Sequence, residues 1–212
     1  MKSSDLIRSL ASELTPVHPG KTRNDMLLGL GLGAMVSLAV VIAIYGVQPG
    51  LVSVAHGGLM AMKACYVLSL AAIAGSMLMP MLRPGNLVPD RRSFFLLPVL
   101  LLAGGALWQT VTSDTGAASL WLGSNWPQCL LRIAILAVPI LTGACWAIRP
   151  QAPLRLRATG ALAGLVSGSI AAAMFALACP ENGLGFVLVW YTVAIAISTV
   201  VGAMIGPSVL RW

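Results

Sequence analysis

Six long apolar runs, separated by short polar breaks, set the pattern of this chain. They extend from Met26 to Val47, Leu59 to Leu82, Phe94 to Thr112, Leu130 to Ile148, Ala158 to Ala178 and Leu184 to Ile205. Each is close to the ~20 residues that an α-helix needs to cross a ~30 Å hydrocarbon core. Ahead of them, residues 3–15 follow a different rule. Leu6, Ile7, Leu10 and Leu14 recur at helical spacing on an otherwise polar segment, which predicts one short amphipathic helix. Ser3 or Ser4 can cap it, Asp5 suits its first turn, and Thr15-Pro16 ends it. The pattern predicts an all-α polytopic membrane protein. Residues 1–25 form an N-terminal helix and linker, and residues 26–212 form a six-helix transmembrane bundle.

Composition strengthens this reading. Only 9% of the 212 residues are charged, while 58% are hydrophobic and the mean hydropathy is +0.90. A soluble domain carries roughly a quarter charged residues, so this chain cannot cover a water-facing surface. The net charge of +7 falls in the loops and not on an aromatic-studded basic stretch, so no nucleic-acid partner is expected. Residues 1–25 lack the apolar core of a signal peptide. Small residues line several runs. Gly29, Gly31 and Gly33 in the first, and the Gly160, Gly164 and Gly168 ladder in the fifth, allow helices to approach closely.

Loop charge gives an orientation. Lys21 and Arg23 precede the first run, Arg83, Arg91 and Arg92 follow the second, and Arg149, Arg155 and Arg157 follow the fourth. Arg211 ends the chain, while residues 48–58, 113–129 and 179–183 hold no Lys or Arg. The positive-inside rule then places both termini in the cytoplasm, and His56, Asp114, Cys129, Cys179 and Glu181 outside. If the host is a Gram-negative bacterium, that outer face is the oxidising periplasm.

Chemistry is sparse. No Asp, Glu or His lies within the six runs, which argues against an ion-coupled carrier, since such proteins place ionisable groups at mid-membrane depth. Lys63 and Arg132 lie near run ends and are expected to snorkel to the interface. No phosphate loop, His-Glu-x-x-His pair or nucleophile motif points to an enzyme. Cys129 and Cys179 sit at the outer ends of the fourth and fifth runs, where two thiols form a disulfide or share a soft metal ion. His56 and Glu181 share that face, so Cys129, Cys179, His56 and Glu181 make a possible four-donor metal set. Cys65 and Cys145 lie inside runs and read as small hydrophobes. Trp190-Tyr191 falls inside the sixth run, where a buried Tyr191 needs a hydrogen-bond partner. Trp121, Trp126 and Trp212 read as interfacial anchors.

Several stretches resemble the negative-regulator-of-sigma-F (NrsF-like) family of six-span bacterial inner-membrane anti-sigma factors. They are Met1-Lys2-Ser3-Ser4-Asp5-Leu6-Ile7, Leu14-Thr15-Pro16-Val17, Asn125-Trp126 with Cys129-Leu130, Cys179-Pro180-Glu181, Val189-Trp190-Tyr191, and Gly206-Pro207 with Arg211-Trp212. The resemblance implies a protein that holds an extracytoplasmic-function sigma factor at the membrane and releases it under heavy-metal or oxidative stress. It implies that the family's two functional cysteines are Cys129 and Cys179. The amphipathic stripe Leu6, Ile7, Leu10 and Leu14 is our own candidate for the sigma-binding surface, since its polar face is too weakly basic for a membrane-lying helix. A passive transporter or channel, and a membrane thiol-redox or metal-binding protein, are the competing readings.

Overall fold

The structure, a computed structural model, describes residues 20–46, 54–82, 92–113, 116–123, 126–181 and 183–211. The amphipathic stripe, Asp114, Trp212 and the side chain of His56 lie outside the described residues. Helices account for the regular structure, with no strand among the described residues. They are α1 (Lys21–Val40), α2 (Val54–Met81), α3 (Leu96–Thr112), α4 (Ala117–Leu122), α5 (Trp126–Ile148), α6 (Leu156–Ala176), α7 (Leu184–Phe186) and α8 (Thr192–Val209). A π-helical turn at Val41–Tyr45 prolongs α1, and a second at Val187–Tyr191 joins α7 to α8. Six of the resulting rods are long and apolar enough to cross a membrane.

The six-span expectation therefore holds, with shifted edges. The first helix begins at Lys21, five residues before the apolar run. The fourth begins at Trp126 and not at Leu130. Pro127 explains this: proline is favoured in a first helical turn, where its missing N–H costs no hydrogen bond. Cys129 is thereby carried on the opening turn of α5. The loop before it contains α4, which the apolar pattern did not announce.

Two glycine-lined pairs organise the bundle. On α6 the ladder Gly160, Gly164 and Gly168 faces Gly202, Ser198 and Ile195 of α8, backbone against backbone. A methyl group built on Gly202 would stand 3.0 Å from the Gly164 Cα. On α1, Gly29 meets Gly143 and Gly33 meets Ile140 of α5. Gly31 has no neighbour within 4 Å, so the expectation that all three α1 glycines serve packing is corrected: residues i and i+2 point to different sides of a helix. The Ser37 hydroxyl, fully buried, adds a bond of 2.8 Å to the Leu136 carbonyl across the α1–α5 pair. The Thr22 hydroxyl reaches the Gln151 side chain at 2.9 Å, tying the start of α1 to the turn after α5.

Helix α6 is the axis. It contacts α1, α2, α5 and α8, and most of it is buried, whereas α3 keeps Leu100, Leu101, Leu107, Trp108 and Val111 on its exposed face. One apolar cluster around Phe175, Tyr191 and Ile133 fills the half of the bundle that holds Cys129 and Cys179. A second, around Met26, Leu78 and Ile148, fills the other half.

Candidate functional site

Helices α5 and α6 bring Cys129 and Cys179 together, although 50 positions separate them in the sequence. Cys129 is placed by the first turn of α5. Cys179 follows α6, where its N–H still bonds the Phe175 carbonyl at 3.0 Å and continues the helical turn. Pro180 then turns the chain away. Both thiols are buried, at 3% and 1% exposure, and both are free. The Cys129 thiol donates a hydrogen bond to the Cys179 sulfur.

Lys63 completes the centre. It comes from α2 and is only 2% exposed, and its ammonium donates to the Glu181 carbonyl. The charged or chargeable groups facing it are Cys179, Glu181 and Cys129. The expectation that Lys63 snorkels to the interface is therefore corrected. A buried ammonium is retained where hydrogen-bond acceptors and negative charge surround it. Arg132 does turn outward: it donates to Gln128 at 3.1 Å, and its guanidinium lies 4.9 Å from the Tyr45 ring centre. Its influence on Cys129 is through charge alone.

Tyr191 closes the far side. Its ring is fully buried, stands 6.4 Å from that of Phe175, and carries its hydroxyl to Cys179. That hydroxyl has no hydrogen-bond partner of regular geometry among the described residues. The π-helical turn that ends at Tyr191 is the local device that sets this register; such turns recur at functional sites.

Three donors and one charge thus address one sulfur. The Cys129 hydrogen bond is the largest influence on Cys179, followed on the same side by the Glu181 N–H, the Tyr191 hydroxyl and the Lys63 charge. Burial works against them, yet the donors prevail and the Cys179 thiol is lowered from 9.0 to about 6. Of the two sulfurs, Cys179 is the one whose thiolate form these groups favour.

A cover of aromatic residues lies at this end of the bundle, where Trp126 opens α5. Trp126 stacks on Trp190 with ring centres 4.4 Å apart, and the Trp190 N–H donates to the Trp121 carbonyl at 3.2 Å. Gly123, at φ +60, lets the chain pass close to the Phe186 ring, where a Cβ would collide with it. The Gln109 side chain of α3 accepts the Leu184 N–H at 2.8 Å and so satisfies one free donor at the start of α7. Trp121 and Trp126 are thus built into this cover as well as lying at a helix end.

Of the possible metal donors, Cys129 and Cys179 meet. No group of three or more His, Cys, Asp or Glu side chains suited to a metal is found among the described residues, and the His56 side chain is not among them. Cys145 packs in the second apolar cluster, while Cys65 faces outward from α2, so neither joins the site. Sequence reasoning missed Lys63 and Tyr191 as site residues. Their signals were a lysine within an apolar run and a tyrosine far from a run's end.

The family described as negative regulator of sigma F, NrsF, matches residues 10–212. The chain belongs to this family. It is 32% identical over 216 residues to the probable anti-sigma-F factor NrsF of Azospira oryzae, covering all of both chains. It is also 32% identical over 218 residues to the anti-sigma-F factor NrsF of Caulobacter vibrioides, again end to end. No solved structure matches it.

Proposed function

We propose that this NrsF-family chain is an integral-membrane anti-sigma factor. It holds an extracytoplasmic-function sigma factor on the cytoplasmic side and releases it when the Cys129–Cys179 pair is modified from outside. Its role is regulatory and not catalytic. The observation that carries this reading is the buried thiol pair itself, held with Lys63 and Tyr191 in a chain that matches anti-sigma factors end to end. An oxidant that closes a disulfide, or a thiophilic metal ion that bridges the sulfurs, acts on that pair. The Lys and Arg distribution supports a bacterial inner-membrane location with both termini in the cytoplasm. The stripe Leu6, Ile7, Leu10 and Leu14 is the proposed sigma-binding surface, because an amphipathic helix offers an apolar face to a protein groove.

Co-purification with the cognate sigma factor from detergent tests this, using the full chain and a chain lacking residues 1–20. Retention by the full chain and loss by the truncated one is expected. Retention by both moves the binding surface to the inner loops. Retention by neither overturns the anti-sigma reading.

A further inference from the structure

We infer that the two cysteines have unequal roles: Cys179 is the sulfur that a small hydroperoxide oxidises, and Cys129 is the one that closes the disulfide, with Lys63 and Tyr191 serving the attacked peroxide. This deepens the proposed thiol sensor and rests on it.

The surroundings of the two sulfurs differ. Cys179 receives the Cys129 thiol, the Glu181 N–H, the Tyr191 hydroxyl and the Lys63 charge. The charges around Cys129 are Cys179, Glu181 and, less strongly, Arg132, with Lys63 facing it as well. The Lys63 ammonium faces both sulfurs, but the Cys129 thiol, the Glu181 N–H and the Tyr191 hydroxyl are all directed at Cys179. The Tyr191 hydroxyl is fully buried, lacks a regular partner among the described residues and points at this sulfur. Such a group is costly to bury, and an oxygen atom bound near Cys179 would satisfy it.

The chemistry balances with a peroxide as the oxidant. The Cys179 thiolate attacks one peroxide oxygen, the O–O bond breaks, and a sulfenic acid forms. The departing hydroxide takes a proton from the Lys63 ammonium and leaves as water. The Cys129 sulfur then attacks the Cys179 sulfur, and the hydroxyl leaves as a second water with the Cys129 proton. Two electrons pass from the thiol pair to the peroxide. Thiolate and ammonium disappear together, so no unpaired charge is left in the site. With Cys179 at 1% exposure, hydrogen peroxide fits this role and a bulky disulfide does not.

The test is trapping with dimedone, which captures sulfenic acids, on the full-length protein in detergent, read by mass spectrometry after hydrogen peroxide. Cys129→Ser should accumulate the adduct on Cys179, Cys179→Ser should show none on Cys129, and the unaltered chain should instead form the Cys129–Cys179 disulfide. Lys63→Met in the Cys129→Ser background should slow adduct formation by about tenfold or more, the scale of one charge-assisted hydrogen bond. An adduct on Cys129 in the Cys179→Ser protein, at the level seen on Cys179, overturns the assignment of roles. A Lys63→Met rate equal to that of its parent overturns the part given to Lys63. If the unaltered chain forms no disulfide and neither serine variant an adduct, the peroxide chemistry is overturned. Sigma retention measured on the same samples then shows whether the anti-sigma reading survives it.

Discussion

Replacing Cys129 by Ala should raise the pH at which Cys179 becomes reactive. In the folded chain the Cys179 thiol stands at about 6 instead of 9.0, and the hydrogen bond from Cys129 is the largest cause. At pH 7 a thiol at about 6 is about nine-tenths thiolate, against about one-hundredth for one at 9.0. Rate alone is a poor readout, however. A shift of about three units also weakens the thiolate as a nucleophile by roughly 15- to 30-fold, leaving a net advantage of only a few-fold at pH 7. The midpoint of the pH profile is the better measure, since a slow access step independent of pH does not move it. Iodoacetamide modification of Cys179, followed by mass spectrometry across the pH range, should give a midpoint near 6 in the unaltered chain. A hydrogen bond to a charged group is worth about 1.5–3 kcal/mol, or about one to two pH units. The Cys129→Ala midpoint should therefore rise by at least about one unit. It should stop short of 9.0, because the Glu181 N–H, Tyr191 and Lys63 remain. A midpoint near 9 in the unaltered chain, or an unchanged one in the variant, would refute the reasoning.

Other outcomes test the scaffold. Gly164→Ala puts a methyl group against the Ser198 backbone of α8 and should destabilise the protein by about 1–3 kcal/mol in detergent. Gly31→Ala, with open space around it, should be neutral or up to about 1 kcal/mol more stable through helix propensity; equal thermal shifts in the two would contradict the packing. Tyr66→Phe removes the 2.7 Å bond to the Thr192 hydroxyl and should cost about 0.5–1.5 kcal/mol by thermal unfolding. Single cysteines at Ser113 and Arg155, in a background without the native thiols, test orientation with a membrane-impermeant maleimide on intact spheroplasts. Ser113→Cys should label and Arg155→Cys should label only after lysis, and the reverse pattern would invert the proposed topology.

The spans were legible because length and apolarity alone decide whether a helix can cross a bilayer. The α6 ladder was legible for a similar reason. Gly160, Gly164 and Gly168 share one face by the helical period, whatever lies opposite, and they do pack against α8. Gly31 misled because composition was read without that period. The site was legible only in part. The resemblance implied its two cysteines, but spacing could not show that residues 129 and 179 meet. Lys63 looked like a snorkelling cation because its partner, the Glu181 carbonyl, lies 118 residues away. Tyr191 looked like packing because its direction depends on a π-helical turn, and no local residue pattern announces one. Polar side chains in apolar runs are the positions where periodicity says least and tertiary context decides most.

The position of the thiols relative to the two glycine-lined pairs suggests how their modification is felt at the other end of the bundle. Helices α1 and α5 touch backbone to backbone at Gly29–Gly143 and Gly33–Ile140, and α6 and α8 do so at Gly160–Gly202 and Gly164–Ser198. Contacts this close leave no slack, so each pair moves as a unit or not at all. Cys129 belongs to the first pair and Cys179 to the end of the second, and the thiol pair therefore bridges the seam. Closing a disulfide brings two sulfurs from hydrogen-bond distance to about 2.05 Å. That change cannot be absorbed within either pair and falls on the seam between them. At the other end of α5, Gln151 holds Thr22 at the start of α1, directly after the segment that carries the proposed sigma-binding stripe. On the proposed function, sliding of α1 and α5 against α6 and α8 shifts the base from which that stripe extends. Taking the sigma-holding state from 99% to 1% needs about 5.5 kcal/mol of differential stabilisation. A covalent bond across the seam, formed at the expense of a peroxide, can supply it where a hydrogen bond between two thiols cannot.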